Sequence, residues 1–229
     1  MGGQACVFYG AAEFSRDCDV IVLANPENLE RLQSALKELD AHCIAIPPFE
    51  QKYLESGHAV HFRCMHPDAP NMRLDVMTKL RGVDDFESLW ERRLTLEDST
   101  GATFDILGIE DLVKAKKTQR DKDWPMIRRL LDSHYDEFRT QPTEDRVRFW
   151  LRESRTPEVL IAVAAGYPVL VREVMKIRPL LVETLSASRT ALRQELAKEE
   201  AAEKLADEQY WRPLKRELES IRMNRRKKP

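Results

Sequence analysis

The sequence predicts an α+β protein, with strands and helices mixed in residues 1–138 and an all-helical region with a basic tail in residues 139–229. Short apolar, β-branched runs separated by turn residues fill the first part. From Thr143 onward these strand signals disappear, and Leu, Ala, Glu, Arg and Lys dominate. The last stretch, residues 222–228, is rich in Arg and Lys.

The elements of the first part follow from local signals. An apolar run over residues 17–23 predicts a strand, and Asn25-Pro26 is typical of a helix N-cap followed by its first position. Leucines at helical spacing continue that helix, namely Leu29, Leu32, Leu36 and Leu39. A short strand is expected over residues 42–46, where Pro47-Pro48 ends it.

Two hairpins are predicted next. Alternation over residues 59–64 and the run over residues 72–77 predict an antiparallel pair whose second strand carries Asp75. Residues 93–97 and 103–107 predict a second hairpin, after which Gly108 introduces a basic helix. The later helical segments are expected near residues 147–151, 157–165, 168–181, 192–205 and 208–223. Helix boundaries or kinks are expected at Pro157, Gly166-Tyr167-Pro168 and Pro179.

Composition limits the class of protein. With 229 residues, 42% of them hydrophobic, the chain can bury a good core in one or two domains. A formal net charge of −2 gives no general sign of nucleic-acid binding. The four cysteines have no metal or disulfide spacing, and no long apolar run is present, so we expect a reduced, cytoplasmic protein with no membrane contact.

The first candidate site lies near the start of the sequence. Gly2-Gly3 is followed after thirteen residues by Asp17-Cys18-Asp19, at the head of the first predicted strand. Alternate strand residues face the same side, so the two carboxylates could hold a divalent cation together. A glycine pair can present backbone N–H groups to phosphate. Acidic doublets are also common in turns and caps, which leaves a structural role open.

Asp75 is a third candidate ligand of this site. A carboxylate in an apolar strand is costly to bury unless it is paired or binds a metal. The alternative is that Asp75 faces solvent or pairs with Arg73 or Arg63.

These residues resemble the DNA polymerase β-type nucleotidyltransferase superfamily, and in particular its small bacterial members similar to AbiE-type and MenT-type toxins. The resemblance covers residues 2–135. It rests on Gly2-Gly3, Ser15, the Asp17-x-Asp19 doublet, the Asp75 strand and the segment Leu107–Trp124. In such proteins a similar helix ends in a Lys, then an Arg, then a Lys-Asp pair. The corresponding residues of this sequence are Lys117, Arg120 and Lys122-Asp123.

The resemblance implies a mixed or antiparallel sheet flanked by helices, and transfer of a nucleoside monophosphate from an NTP such as ATP to a hydroxyl. Pyrophosphate would leave from the α-phosphorus with the help of two Mg²⁺ or Mn²⁺ ions. The implied catalytic and metal ligands are Asp17, Asp19 and Asp75; the implied phosphate contacts are Gly2, Gly3, Ser15, Lys117, Arg120 and Lys122. The acceptor would be a tRNA or a protein, and a cognate antitoxin is an expected partner.

Other interpretations remain open. Glu13 stands where such proteins often have Arg, and a helix and strand normally precede the glycine pair, so the true start is expected further upstream. A catalytically silent nucleotide-binding or partner-binding scaffold fits the same pattern. The basic helix could be a solvated charged face in which Arg120 bridges to Asp123. Zinc binding by His58, His61, Cys64 and His66 is disfavoured because their spacing matches no known ligand set.

Overall fold

A computed structural model describes the backbone of residues 1–226 and the side chains of residues 1–225. It is a mixed α+β structure, 56% helical, which confirms the predicted class. The strands are β1 Asp17–Ile21, β2 Ala41–Cys43, β3 Val60–Cys64, β4 Arg73–Met77, β5 Leu94–Glu97 and β6 Thr103–Ile106. Lys227 and Lys228 of the basic tail lie outside the described residues.

The helices alternate with the strands at first and then follow one another. They are α1 Gly2–Phe8, α2 Pro26–Glu38, α3 Gln51–Glu55, α4 Phe86–Glu91, α5 Ile109–Lys116, α6 Asp123–Phe138, α7 Glu144–Glu153, α8 Pro157–Gly166, α9 Pro168–Val174, a 3₁₀ helix Pro179–Thr184 and α10 Arg189–Arg226.

The main sheet is mixed and has the strand order β1-β4-β3-β2. The predicted hairpin of β3 and β4 is confirmed as antiparallel, with His61 opposite Asp75. The second predicted hairpin, β5 and β6, forms a separate two-stranded sheet. The first strand, β1, pairs with β4 in parallel, and this pairing makes the sheet mixed.

One face of the main sheet carries a hydrophobic core. Val60, Phe62, Leu74 and Val76 are buried there, against Leu36 of α2 and its neighbours. Since strand side chains alternate, the residues between these core positions must lie on the opposite face. That opposite face carries the charged residues of β1, β3 and β4.

Helix boundaries follow the predicted signals at Asn25 and Pro179 and differ in α10. Asn25 caps α2 by accepting a hydrogen bond from the N–H of Asn28 at 2.8 Å. The boundary expected at Pro179 is present: α9 ends at Val174, Arg178 leaves the helical region at φ −131°, and a 3₁₀ helix begins at Pro179. The two segments expected over 192–205 and 208–223 form one helix, α10, which continues through Pro213.

The chain forms two compact units. Unit 1 contains Met1–Phe8, Ala12–Ala115 and Gln209–Pro229, and unit 2 contains Tyr9–Ala11 and Lys116–Glu208. The domain division at residue 138 stays a prediction. In the part of the chain that the structure describes, no helix has both the length and the apolar character required to cross a bilayer.

The core of unit 2 contains a histidine in an aromatic cluster. His134 packs against Phe138 and Phe149, and its Nδ1 accepts a hydrogen bond from Trp150 Nε1 at 2.9 Å. Burial, with a contribution from Arg146, lowers the pKa of His134 to about 4. The neutral ring is therefore the form that fits this core.

Acidification is expected to destabilise unit 2 through His134. The folded-state pKa of about 4 lies below the ordinary 6.5, so the stabilisation is complete above pH 6.5 and is lost as the pH falls towards 4. We expect His134→Gln, which keeps a hydrogen-bond acceptor, to flatten the pH dependence of Tm in this window. Equal slopes for wild type and variant would contradict this assignment.

Candidate functional site

The strand register brings the predicted acidic residues onto one face of the main sheet. Asp19 on β1 is the parallel partner of Asp75 on β4, and Asp17 is the partner of Arg73. Neighbouring strands lie about 4.8 Å apart. The side chains of Asp17, Asp19, Arg73 and Asp75 therefore emerge on the same side, which we name the acidic face.

Asp75 is the buried member of this group, with 8% of its surface exposed. Its Oδ1 accepts a hydrogen bond from Arg73 Nε at 2.8 Å and lies 2.8 Å from Nδ1 of His61. The pairing with Arg73, one of the alternatives from the sequence, is thus present. These two partners compensate a carboxylate that would otherwise be costly to bury.

The pKa values of Asp75 and Arg73 follow from the same contacts. Partial burial raises the pKa of Asp75, but the hydrogen bonds from His61 and Arg73 outweigh it, and the net pKa lies below the ordinary value. The hydrogen bond to Asp75 raises the pKa of Arg73, and the charges of Asp17 and Asp19 act in the same direction. At neutral pH the acidic face therefore holds a carboxylate and a guanidinium in direct contact.

The glycine pair lies against Asp19. Gly2 has φ +67°, and a Cβ atom on it would lie 1.9 Å from Asp19 Oδ2. The N–H of Gly3 points to the same oxygen at 3.4 Å, and a Cβ on Gly3 would lie 2.3 Å from Ser15 Oγ. The hydroxyl of Ser15 donates to the carbonyl of Asp17 at 3.0 Å. The sequence-predicted residues Gly2, Gly3, Ser15, Asp17 and Asp19 are thus brought together.

The three predicted basic phosphate ligands belong to unit 2. Lys117 has 14% of its side chain exposed, and its Nζ lies 2.7 Å from Glu153 and 3.8 Å from Glu203. Arg120 pairs with Asp123 at 2.7 Å, the pairing that the charged-face interpretation expects. Lys122 is exposed, directly before α6. The binding of a triphosphate by these residues stays a prediction.

Asp123 is a buried carboxylate that holds the segment between α5 and α6 together. It is 2% exposed, accepts a hydrogen bond from Thr118 Oγ1 at 2.6 Å and lies 3.5 Å from Lys116 Nζ. Trp124 Nε1 donates to the carbonyl of Thr118 at 2.9 Å. The segment between α5 and α6 is therefore held in place by its own charged and polar groups.

Among the described residues, no group of three or more His, Cys, Asp or Glu side chains is arranged to hold a metal ion. The disfavoured zinc ligands are engaged separately: His61 contacts Asp75, and His58 contacts Glu217 at 2.9 Å. The role of Asp17 and Asp19 as Mg²⁺ ligands together with substrate phosphates stays a prediction.

The two side chains that contact Asp75, His61 and Arg73, were not predicted as site residues from the sequence. His61 was considered only for zinc, and Arg73 only as a partner for Asp75. The sequence signal that could have found them is the alternation of polar and apolar residues. His61 and Arg73 occupy polar positions of two strands that are predicted to pair. The predicted hairpin, with its register, would have placed His61 opposite Asp75.

Comparison with known proteins does not assign this chain to a family. No protein-family model matches this sequence, and no curated protein matches it.

We expect Gly2→Ala to destabilise the protein more than Gly82→Ala. Both glycines have positive φ, which costs alanine about 1 kcal/mol, but only at Gly2 would the added Cβ clash with Asp19. Thermal unfolding of the two variants separates the common backbone strain from the clash. Equal losses in Tm would show that Asp19 moves aside without cost.

We expect Asp123→Ala to cost about 3 kcal/mol, because it leaves the buried Lys116 ammonium without its carboxylate. The measurement is urea unfolding at pH 7. The matched control is Asp121→Ala, which removes an exposed carboxylate that pairs with Lys204 and should leave the midpoint almost unchanged. A midpoint for Asp123→Ala that equals the control would contradict the anchoring role.

Proposed function

We propose that this protein is a metal-dependent nucleotidyltransferase that transfers a nucleoside monophosphate from an NTP to a hydroxyl acceptor. The observation that carries the proposal is the register of β1 and β4, which sets Asp19 beside Asp75 and places Asp17 on the same face. The family resemblance alone suggests the nucleotidyltransferase-like fold, a tRNA or protein acceptor, and a toxin with a cognate antitoxin.

Asp17 and Asp19 are the residues that would hold Mg²⁺ or Mn²⁺. Asp17 is exposed and Asp19 is half-buried, so both carboxylates remain reachable from solvent on the same side of β1. Carboxylate oxygens are the ligands that Mg²⁺ prefers, and one or two of them suffice when phosphates complete the shell. When bound, the cation would offset negative charge on the phosphates.

The glycine pair lets the backbone approach Asp19 and Ser15 closely. Side chains at Gly2 or Gly3 would overlap Asp19 or Ser15, so only backbone atoms fit there. The N–H of Gly3 already points to an anionic oxygen of Asp19, and a phosphate oxygen offers the same kind of acceptor. This supports contacts of Gly2, Gly3 and Ser15 with the phosphates.

In the reaction, the acceptor oxygen forms a bond to the α-phosphorus while the bond from that phosphorus to the bridging oxygen breaks. Pyrophosphate leaves, and the proton of the acceptor hydroxyl passes to the Asp75 carboxylate or to water. Asp75 would orient the hydroxyl, since its Oδ1 is already fixed by Arg73 and His61. A direct metal contact by Asp75 stays a prediction.

A catalytically silent scaffold is the second candidate. The observation that favours it is the engagement of Asp75 by Arg73 and His61, with no arrangement of three ligands among the described residues. Such a protein would bind an NTP without transferring any part of it.

The decisive experiment supplies each NTP, labelled with ³²P at the α-phosphate, together with Mg²⁺ or Mn²⁺ and separate RNA and protein fractions of a cell extract. We expect metal-dependent label on one fraction and none from γ-labelled NTP, because the nucleoside monophosphate is transferred. Asp17→Asn and Asp19→Asn should each reduce labelling about a hundredfold or more.

Asp68→Asn is the matched control, since it removes an exposed carboxylate whose described contacts are with His66. It should label like wild type. NTP binding without transfer would support the silent scaffold. Labelling that both doublet variants retain would overturn the proposed site.

A further inference from the structure

We propose that the open edge of β2 is a docking site for an extended segment of another protein, which adds to the main sheet as a further strand. β2 stands last in the strand order β1-β4-β3-β2, so only one of its two edges is paired. The inference goes beyond the proposed function, and its test does not depend on nucleotide transfer.

The backbone of β2 points alternately to β3 and to the open side. The N–H of Ile44 donates to the carbonyl of His61 at 2.9 Å, and His42 lies two residues earlier in the same register. In an antiparallel pair, residues bonded to the partner strand alternate with residues whose N–H and C=O point away from it. Ala41 and Cys43 therefore present these groups to the open side.

The outward backbone groups of β2 are available for pairing. Among the described residues, none forms a hydrogen bond with the N–H or C=O of Ala41 or Cys43 on the open side. Residues 42–45 are exposed. A row of unpaired N–H and C=O groups is a template on which another extended chain can pair.

A cavity of about 350 Å³ lies beside this edge, between β2 and α2. Leu36, Phe49 and Phe62 line it with apolar atoms. The exposed polar residues of its lining are Gln33, Lys37, Asp40 and His42. Its volume falls at the lower end of the range for ligand sites, about 300–1,000 Å³. An apolar floor with a polar rim is typical of a protein-binding surface.

The cavity and the edge fit the same occupant. Ala41 lies on the core side of β2 and also lines the cavity. Residues directly opposite each other on paired strands share one face of the sheet. The residue that an added strand places opposite Ala41 is therefore directed to the cavity side.

The size of the cavity argues for a partner other than a second copy of this chain. Two copies paired edge to edge would offer each other only Ala41 and Cys43 on the cavity side, and both side chains are small. A Leu, Ile or Phe side chain would instead pack against Leu36 and Phe62 and bury apolar surface. The occupant is therefore an extended segment with bulky apolar residues at alternate positions.

The test starts with selection of random peptides, displayed on phage, on the full chain. We expect the selected peptides to carry bulky apolar residues at alternate positions. A bound peptide should slow amide hydrogen exchange at Ala41 and Cys43. Exchange at His42 and Ile44, which face β3, should change little.

Cys43→Pro is the decisive variant, because it removes an outward N–H and keeps the hydrogen bonds from β2 to β3. We expect it to weaken binding of the selected peptides about fivefold or more. Cys43→Ala is the matched control. It removes the thiol, which donates to the carbonyl of Ala45 at 3.2 Å, but keeps the N–H, and it should bind peptide like wild type.

Ala41→Leu tests the cavity separately, since the longer side chain occupies it, and this variant should also weaken binding. If Cys43→Pro does not fold, as judged by circular dichroism, Ala41→Leu and the exchange pattern of wild type decide. Selection of no peptide, selected peptides without alternation, protection of other amides, or equal binding by Cys43→Pro would each overturn the inference.

Light scattering decides between a partner and a second copy. We expect wild type to be a monomer. A wild-type dimer that Cys43→Pro converts to a monomer would show that a second copy occupies the edge, and would overturn the inference. None of these results bears on the labelling experiment, so the proposed function is tested independently.

Discussion

The alternation of side chains along β1, β4 and β3 is the constraint on which unit 1 depends. Each strand places apolar residues such as Phe62 and Leu74 in the core, and therefore places their neighbours on the opposite face. A slip of one residue would exchange the two faces and bury several charges. Packing of the core thus fixes the side on which Asp17, Asp19 and Asp75 lie.

The buried carboxylate connects stability with chemistry. Asp75 is tolerated at 8% exposure because Arg73 and His61 both contact its Oδ1. The same contacts keep Asp75 ionised, because they lower its net pKa. A residue that stabilises the folded strand therefore also sets the charge of the acidic face.

In unit 2, lysine and arginine side chains pair with glutamates. Lys117 pairs with Glu153 and Glu203, and half-buried Glu199 accepts from both Arg155 and Arg178. Burial raises the pKa of Glu199, yet the hydrogen bonds and charges of the arginines outweigh it and the net pKa is lowered. Lysines and arginines that suggest phosphate binding in a sequence can equally serve as partners for buried acids.

Local signals in the sequence determined much of the first part of the chain. The cap at Asn25, the two hairpins and the acidic doublet on one side of a strand all depend on neighbouring residues, and these were predictable. They did not determine that β1 pairs with β4 in parallel, which sets Asp19 beside Asp75. That pairing joins residues far apart in sequence, and only packing of both strands on α2 selects it. The partners of Asp75 and Lys117 were decided in the same way, since burial leaves a charge only the counter-charges that the fold brings within reach.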